Sequence, residues 1–291
     1  MVIVVTGPTA TGKSEMGIYL AKKLNGEIIN CDSTQVYKGM NICTNKIKNM
    51  NGVIHHLMDV KDLNEEYSVY DYQRDCRCLI EDIISRGKVP ILVGGTGLYI
   101  NASLYDYEFE DRIKKDYSDY SDDEVYDMLL KIDSNTKIHQ NNRRRIINAI
   151  NYYDVNGKPF SEKKESNTLL YDTIFIGLTT DRDTLYERIN KRVDNMVEEG
   201  LIDEALKLYK SGIRSKAVMT PIGPKELFDF FDGKVSLDEA IDLIKRRSRR
   251  YAKRQYTWFN NKLNLKWFSV NYDDFSETCN ESLDYIKNKS S

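Results

Sequence analysis

An apolar run, Val2-Ile3-Val4-Val5, leads straight into Gly7-Pro8-Thr9-Ala10-Thr11-Gly12-Lys13-Ser14, and a helical pattern follows with Met16, Leu20, Ala21 and Leu24 on one side. Strand, glycine-bearing loop and helix in that order make a phosphate-binding loop. The order is a physical requirement: the glycines let successive backbone N–H groups converge on phosphate oxygens, and the helix N-terminus adds positive potential at the same point. Lys13 supplies a mobile charge for the terminal phosphate, and Ser14 a hydroxyl for a magnesium ion bridging phosphate oxygens. The competing reading of these residues alone is a tight turn that binds nothing; the flanking strand and helix weigh against it. The fold expected is α/β, a P-loop-type three-layer core around a parallel sheet.

The rest of the chain supplies more units of the same kind. Gly26 and Glu27-Ile28-Ile29-Asn30-Cys31 read as a second short strand ending at Asp32-Ser33-Thr34-Gln35-Val36-Tyr37. An acid at the carboxyl end of a strand faces the ligand crevice of an open α/β sheet, although Asp32 and Ser33 would also serve as caps of the next turn. His55-His56 would point oppositely on a strand and cannot share a helix face, so no metal site is expected there. Tyr67 to Arg86 reads as an amphipathic helix stopped by Gly87, with Cys76 and Cys78 as ordinary packing or partly exposed residues. Lys88 to Val93 is the next buried strand, and it runs into Gly94-Gly95-Thr96-Gly97, a second glycine loop from which Thr96 projects toward the same crevice. Tyr171 to Leu178 is a further buried strand. Thr180-Asp181-Arg182 then opens a helix on which Arg188 and Arg192 share a face, fit either to clamp a diphosphate or to pair with Glu187, Asp194 or Glu198. A helix over Leu201 to Tyr209, a last strand over Leu265 to Val270 and a polar C-terminal tail complete the pattern.

Residues 105–166 are different: Asp, Glu, Lys, Tyr and Asn crowd them, and no strong strand pattern appears. They read as a helical insertion domain, with helices around Glu124 to Leu130 and Arg143 to Ile150, dividing the catalytic core into 1–104 and 167–291. Arg143-Arg144-Arg145 stands at a helix N-terminus, an awkward place for positive charge, which favours a polyanion partner over plain solvation. Lys245 to Arg254 holds seven basic residues in ten, covering more than one face of a helix. Beyond them Trp258 and Phe259 anchor in the core or stack on bases, the core being expected to take at least one.

These clusters are local, because 43 basic against 45 acidic residues leave a formal charge of -2 and exclude a globally basic nucleic-acid binder. A chain of 291 residues, 41% hydrophobic, can bury one large core plus a smaller attached domain. The five cysteines, Cys31, Cys43, Cys76, Cys78 and Cys279, lack C-x-x-C spacing, so neither a disulfide framework nor a zinc site is indicated. No leader is visible ahead of the first strand, and no run reaches the ~18 apolar residues of a membrane span. A cytoplasmic protein is expected.

Taken together, Gly7 to Ser14, Asp32-Ser33-Thr34-Gln35-Val36-Tyr37, Pro90 to Tyr99, the Arg143 to Ile150 helix and Tyr251-Ala252-Lys253-Arg254-Gln255-Tyr256-Thr257-Trp258-Phe259 resemble the tRNA dimethylallyltransferases, also called tRNA isopentenyltransferases. The resemblance covers nearly the whole chain. It implies transfer of a dimethylallyl group from dimethylallyl diphosphate to N6 of adenosine 37 in tRNAs reading codons that begin with U. It implies a diphosphate site at Gly7, Thr9, Ala10, Thr11, Gly12, Lys13, Ser14 and Arg192, with magnesium (Mg2+) as cofactor on Ser14. Asp32 matches the family's base and Thr96 the threonine that helps organise donor and adenine. The anticodon stem-loop of the tRNA is the partner implied for Asp32, Ser33, Thr34, Gln35, Arg144, Arg145, Lys253 and Arg254; no membrane and no obligate protein partner are implied.

The chemistry of the residues agrees with that implication. The N6 lone pair of adenine is delocalised into the ring, so a carboxylate must accept its proton as attack proceeds. The leaving diphosphate develops negative charge that Lys13, backbone N–H groups, magnesium and Arg192 would neutralise. A base in a folded anticodon loop must be extruded to react. Two stretches depart from the family pattern: Cys43-Thr44-Asn45-Lys46-Ile47 stands for Gly-Thr-Ala-Lys-Pro, and Gly223-Pro224-Lys225-Glu226 for Gly-Tyr-Lys-Glu. The alternatives are a prenyltransferase acting on free AMP, ADP or ATP, against which the basic helix and the insertion argue; a phosphate-loop small-molecule kinase; and a non-catalytic nucleotide-binding module.

Overall fold

The computed structural model describes residues 1–107, 109, 115–163 and 168–290. Chain contacts divide it into two compact units, residues 1–104 with 169–291, and residues 105–168.

The larger unit opens with β1 (Val2–Thr6), α1 (Lys13–Lys23), β2 (Gly26–Asn30), β3 (His55–His56), α2 (Val69–Ser85), β4 (Val89–Val93) and α3 (Gly97–Leu104). Every residue of β1 is buried, as a parallel strand covered on both faces requires. Ser68 starts α2 with a capping box to Asp71, which sets the helix start slightly beyond the Tyr67 expected from periodicity. Cys76 is buried on this helix and Cys78 exposed.

The smaller unit packs α4 (Asp122–Ile132) against α5 (Arg143–Asn156). Val125, Leu129, Ile146, Ala149 and Ile150 make its own small core, so it is helical and buries its apolar stripes internally.

The larger unit resumes with β5 (Thr173–Thr179), α6 (Arg182–Glu198), α7 (Leu201–Lys210), α8 (Lys216–Met219), α9 (Pro224–Phe231), α10 (Leu237–Lys262), β6 (Lys266–Ser269) and α11 (Phe275–Ser290). Among the described residues the sheet has six strands, all parallel, in the order β3-β2-β4-β1-β5-β6. Strand β1 lies between β4 (Ile3 opposite Ile91) and β5 (Val4 opposite Phe175), so successive connections run to opposite sides of it. The crevice outside the carboxyl ends of the strands is therefore at β1, where an open α/β sheet receives its ligand. Met16, Leu20 and Ala21 of α1 and Cys279, Leu283 and Ile286 of α11 pack on the face carrying Ile3, Val5, Ile91 and Ile176. By alternation Val2, Val4, Ile29 and Leu92 turn to the other face, where α2 lies against β2 and β4.

One sequence expectation changes. The polar tail is a helix: Cys279, Leu283 and Ile286 recur at helical spacing and are buried on α1 and the sheet, with Thr278 and Ser282 buried among them. His55-His56 forms the edge strand; His56 Nε2 lies 2.8 Å from Glu27 Oε2, and His55 Nδ1 2.9 Å from the Val53 carbonyl. Among the described residues no group of three or more His, Cys, Asp or Glu could hold a metal, and no helix is long and apolar enough to cross a membrane.

Candidate active site

The loops leaving β1, β2 and β4 meet at a cavity of about 970 Å³. Thr9, Ala10, Gly12, Lys13 and Ser14 line it from the first loop, Asp32, Ser33, Thr34 and Gln35 from the second, and Gly94 and Gly95 from the third. Arg188 and Arg192 reach it from α6, and Tyr251, Arg254 and Gln255 from α10. The sequence-predicted donor residues are thus brought together, with two exceptions in detail. Gly7 lies beneath the loop, where a β-carbon would fall 2.4 Å from the Leu178 carbonyl oxygen. Thr11 is fully buried and donates its hydroxyl to the Pro8 carbonyl at 2.9 Å, so its side chain closes the loop and does not line the cavity.

Lys13 Nζ donates to the same Pro8 carbonyl at 2.6 Å. Burial pulls the Lys13 ammonium down from 10.5 to about 7; Arg192 adds to the fall and Asp32 opposes it. Arg192 donates to the Thr9 hydroxyl, and burial lowers its pKa as well, against the attraction of Asp32; a guanidinium keeps its charge regardless. Arg188 stacks over the Tyr272 ring at 3.6 Å and donates to the Ala10 carbonyl at 3.3 Å. Among the described residues neither arginine makes the pairings with Glu187, Asp194 or Glu198 that spacing alone allowed, and Asp194 is held by Lys245 at 2.6 Å. Lys13 and Arg192 are thus two desolvated cations at the mouth of the phosphate loop, an arrangement able to receive an anion.

Asp32 satisfies both of its sequence readings. Its Oδ1 caps the turn, accepting the Thr34 N–H at 2.9 Å and the Thr34 hydroxyl at 2.7 Å. Among the described residues no protein donor reaches Oδ2, which is left to the cavity that Asp32 lines. Thr96 Oγ1 accepts the Ser33 N–H at 3.0 Å, and the Thr96 N–H donates to the Cys31 carbonyl at 3.0 Å, tying the third loop to the second. Gln35 donates from Nε2 to the Thr44 carbonyl at 3.0 Å.

That last bond reaches the first departure from the family pattern, and the fold compensates for it. The Glu204 carboxylate, from α7, accepts the N–H groups of Asn41, Ile42 and Cys43 at 2.8, 2.9 and 2.9 Å. Buried Lys46 bonds the Tyr37 carbonyl and Asp59. Loop 41–47 is held from both ends without the usual glycine and proline. Burial and the nearby Glu204 push the Cys43 thiol far up, so it is a packing group. The second departure is accommodated by the local backbone. Pro224 occupies the first turn of α9, where an N–H has no intrahelical partner, and Glu226 caps the Gly223 N–H at 2.8 Å while pairing with Arg247.

The basic clusters divide into structural and outward-facing charges. Lys245 pairs with Asp194, Arg247 with Glu226, and Arg249 bonds Asn190 Oδ1 at 2.5 Å. Lys253 and Arg254 are exposed, and Arg254 also borders a smaller cleft of about 320 Å³ with Lys225, Arg247 and Arg250. In the smaller unit Arg143 is bound to Asp122 at 2.7 Å and to the carbonyls of Tyr117 and Tyr120, whereas Arg144 and Arg145 are exposed. Phe259 is fully buried, and Trp258 lies against Gly97.

Sequence reasoning missed four groups at the site. Tyr251 lines the cavity from α10, and burial with the Asp32 charge pushes its pKa up. Gln255 sits one helical turn further on, and that i, i+4 spacing was the available signal. Tyr272 and Phe275, read as tail, pack on the phosphate loop: the Tyr272 hydroxyl is 3.5 Å from the Ala10 carbonyl, and the Phe275 ring covers Gly12.

The model of the IPP transferase family matches residues 35–262. A protein of Anoxybacillus flavithermus named tRNA dimethylallyltransferase is 48% identical over 300 residues, covering 99% of this chain and 96% of that one. The crystal structure of the full-length tRNA isopentenylpyrophosphate transferase of Bacillus halodurans superposes with a TM-score of 0.76 at 47% identity, covering 99% of this chain and 97% of the other. A eukaryotic dimethylallyltransferase acting on tRNA superposes with a TM-score of 0.86 at 32% identity, over 99% of this chain and 79% of that one. A phosphate loop, an acid-bearing loop and a glycine loop around one cavity, in a chain alike from end to end, establish that this protein belongs to the IPP transferase family.

Proposed function

We propose that this protein transfers the dimethylallyl group of dimethylallyl diphosphate to N6 of adenosine 37 in tRNAs reading codons that begin with U. The observation that carries the reading is that one cavity holds both an anion site, Lys13 with Arg192, and a carboxylate oxygen of Asp32 that no donor among the described residues reaches. Donor and acceptor can meet there. The diphosphate lies on the N–H groups of the phosphate loop with Lys13 and Arg192 on its oxygens. The N6 lone pair attacks C1 of the dimethylallyl group, the C1–O bond breaks, and diphosphate leaves with the electron pair while Asp32 Oδ2 takes the N6 proton. Thr96, bonded to Ser33, orders the edge where the adenine enters.

Ser14, which lines the cavity, offers a hard hydroxyl oxygen that would fit a magnesium ion taking its remaining ligands from water and phosphate. When bound it would neutralise charge on the leaving group. Exposed Arg144, Arg145, Lys253 and Arg254 are proposed to hold the anticodon stem-loop, with the work done in the cytoplasm and without an obligate protein partner. The test mixes the protein with radiolabelled dimethylallyl diphosphate, magnesium and unmodified tRNA, and separately with AMP. Label in tRNA alone is expected; label in AMP alone would replace this reading with the free-nucleotide prenyltransferase.

A further inference from the structure

Gln255 is 5% exposed, and its amide spans the two glycine loops. Oε1 accepts the Thr9 N–H at 3.0 Å, and Nε2 donates to the Gly95 carbonyl at 3.0 Å. The partners themselves fix the orientation of the amide, since one loop offers only a donor and the other only an acceptor. A carboxylate could serve the first and a lysine the second; a neutral amide serves both. The fit is close enough that a β-carbon at Gly95 would lie 2.2 Å from Nε2. The atoms on either side belong to opposite halves of the reaction. Thr9 carries the hydroxyl that receives Arg192, on the donor side, and Gly95 precedes Thr96, which holds Ser33 beside Asp32 on the acceptor side.

We infer that Gln255 is a positioning residue that sets the distance between the diphosphate loop and the acceptor loop, and so between C1 of the donor and the attacking nitrogen. The inference rests on the function proposed above. A displacement needs its reacting atoms near 3–3.5 Å, and a shift of about 1 Å can cost roughly 100-fold in rate. Neither loop needs the bond for its own closure: the phosphate loop is closed by Thr11 and Lys13 on the Pro8 carbonyl, and the third loop is tied to the second through Thr96. Removing the amide should therefore slow the chemical step while leaving each ligand bound.

The experiment uses the full chain and the variants Gln255→Met, which keeps length and apolar volume, and Gln255→Glu, which restores both bonds only when protonated. Single-turnover transfer from dimethylallyl diphosphate to unmodified tRNA is measured from about pH 5.5 to 8.5, beside the affinities for inorganic pyrophosphate and for tRNA. For Gln255→Met the expected result is a chemical step slowed by roughly 10–100-fold, with both affinities within about threefold of wild type. For Gln255→Glu the rate relative to wild type should rise as pH falls, which a merely structural role would not produce. An undiminished rate in Gln255→Met, or a loss that follows pyrophosphate or tRNA affinity, overturns the inference while leaving the proposed function in place. Absence of transfer by the wild type to tRNA removes the proposed function and this inference with it.

Discussion

Asp32 spends one carboxylate oxygen on Thr34 and keeps the other for the cavity, and this division makes a sharp expectation. Asp32→Ala should lower turnover by about 10²–10⁴-fold, the usual loss for a general base, with tRNA affinity nearly unchanged. Steady-state rates and a tRNA-binding titration on the same preparation check it; wild-type turnover would remove Asp32 from the reaction. Lys13 offers a second expectation, with a definite sign. Its ammonium is brought to about 7 by burial, so near pH 8 much of it is neutral in the free protein, and a bound diphosphate draws its proton back. Wild type should take up more protons than Lys13→Met on binding pyrophosphate at pH 8, by up to about one per site, as read by calorimetry in buffers of different ionisation enthalpy. Equal uptake in the two proteins would mean that Lys13 is already charged. The same depressed value implies stability that rises with pH between about 7 and 10.5, since the unfolded chain binds the extra proton throughout that window. The sequence announced Lys13 and Asp32 by their places after strands. For Gln255 it offered only the i, i+4 spacing from Tyr251, which puts both on one helix face but names no partner, since Thr9 and Gly95 lie far away in the chain.

At the scale of elements, α10 shows why a run of charge is hard to read from sequence. Seven basic residues in ten look like one polyanion contact, yet Lys245, Arg247 and Arg249 are taken by Asp194, Glu226 and Asn190 on α6 and α9. Those partners are long-range and invisible to periodicity. The triple arginine of α5 divides in the same way, Arg143 inward and Arg144 with Arg145 outward. Neutralising Arg144 with Arg145, or Lys253 with Arg254, should lower the slope of log affinity for tRNA against log salt by roughly 0.7–0.9 for each phosphate that the protein no longer neutralises. Arg143→Gln should leave the slope alone and instead destabilise the smaller unit, because Asp122 and the Tyr120 carbonyl lose the arginine donor and the Tyr117 carbonyl keeps only the Tyr120 N–H. Binding measured at several salt concentrations, with thermal melts of each variant, separates the two classes. An unchanged slope in both double variants would place the RNA elsewhere.

For the whole molecule, the alternation of buried strands and helices was legible because the central strands are apolar and end in loops of distinctive chemistry. What escaped was α11. Its buried face is built from Thr278, Cys279, Ser282, Leu283 and Ile286, and so much small or polar material on a core face lowers the apparent hydropathy below what a helix usually shows. Leu283→Ala should cost about 2–5 kcal/mol of stability, as expected for a buried leucine, measured by denaturant unfolding; a cost near zero would mean that the helix is an appendage.

The Phe275 ring against Gly12 and the Tyr272 hydroxyl near Ala10 join the start of the chain to a stretch made long after it. During synthesis β1 emerges before its two neighbours, β4 and β5, and before the aromatic cover of its loop. A nascent chain halted before Tyr272 carries every glycine of the phosphate loop but lacks the rings that back it. If the loop holds a diphosphate as proposed, that capacity matures late in translation, and a ligand that binds only the backed loop stabilises finished molecules in preference to partial ones.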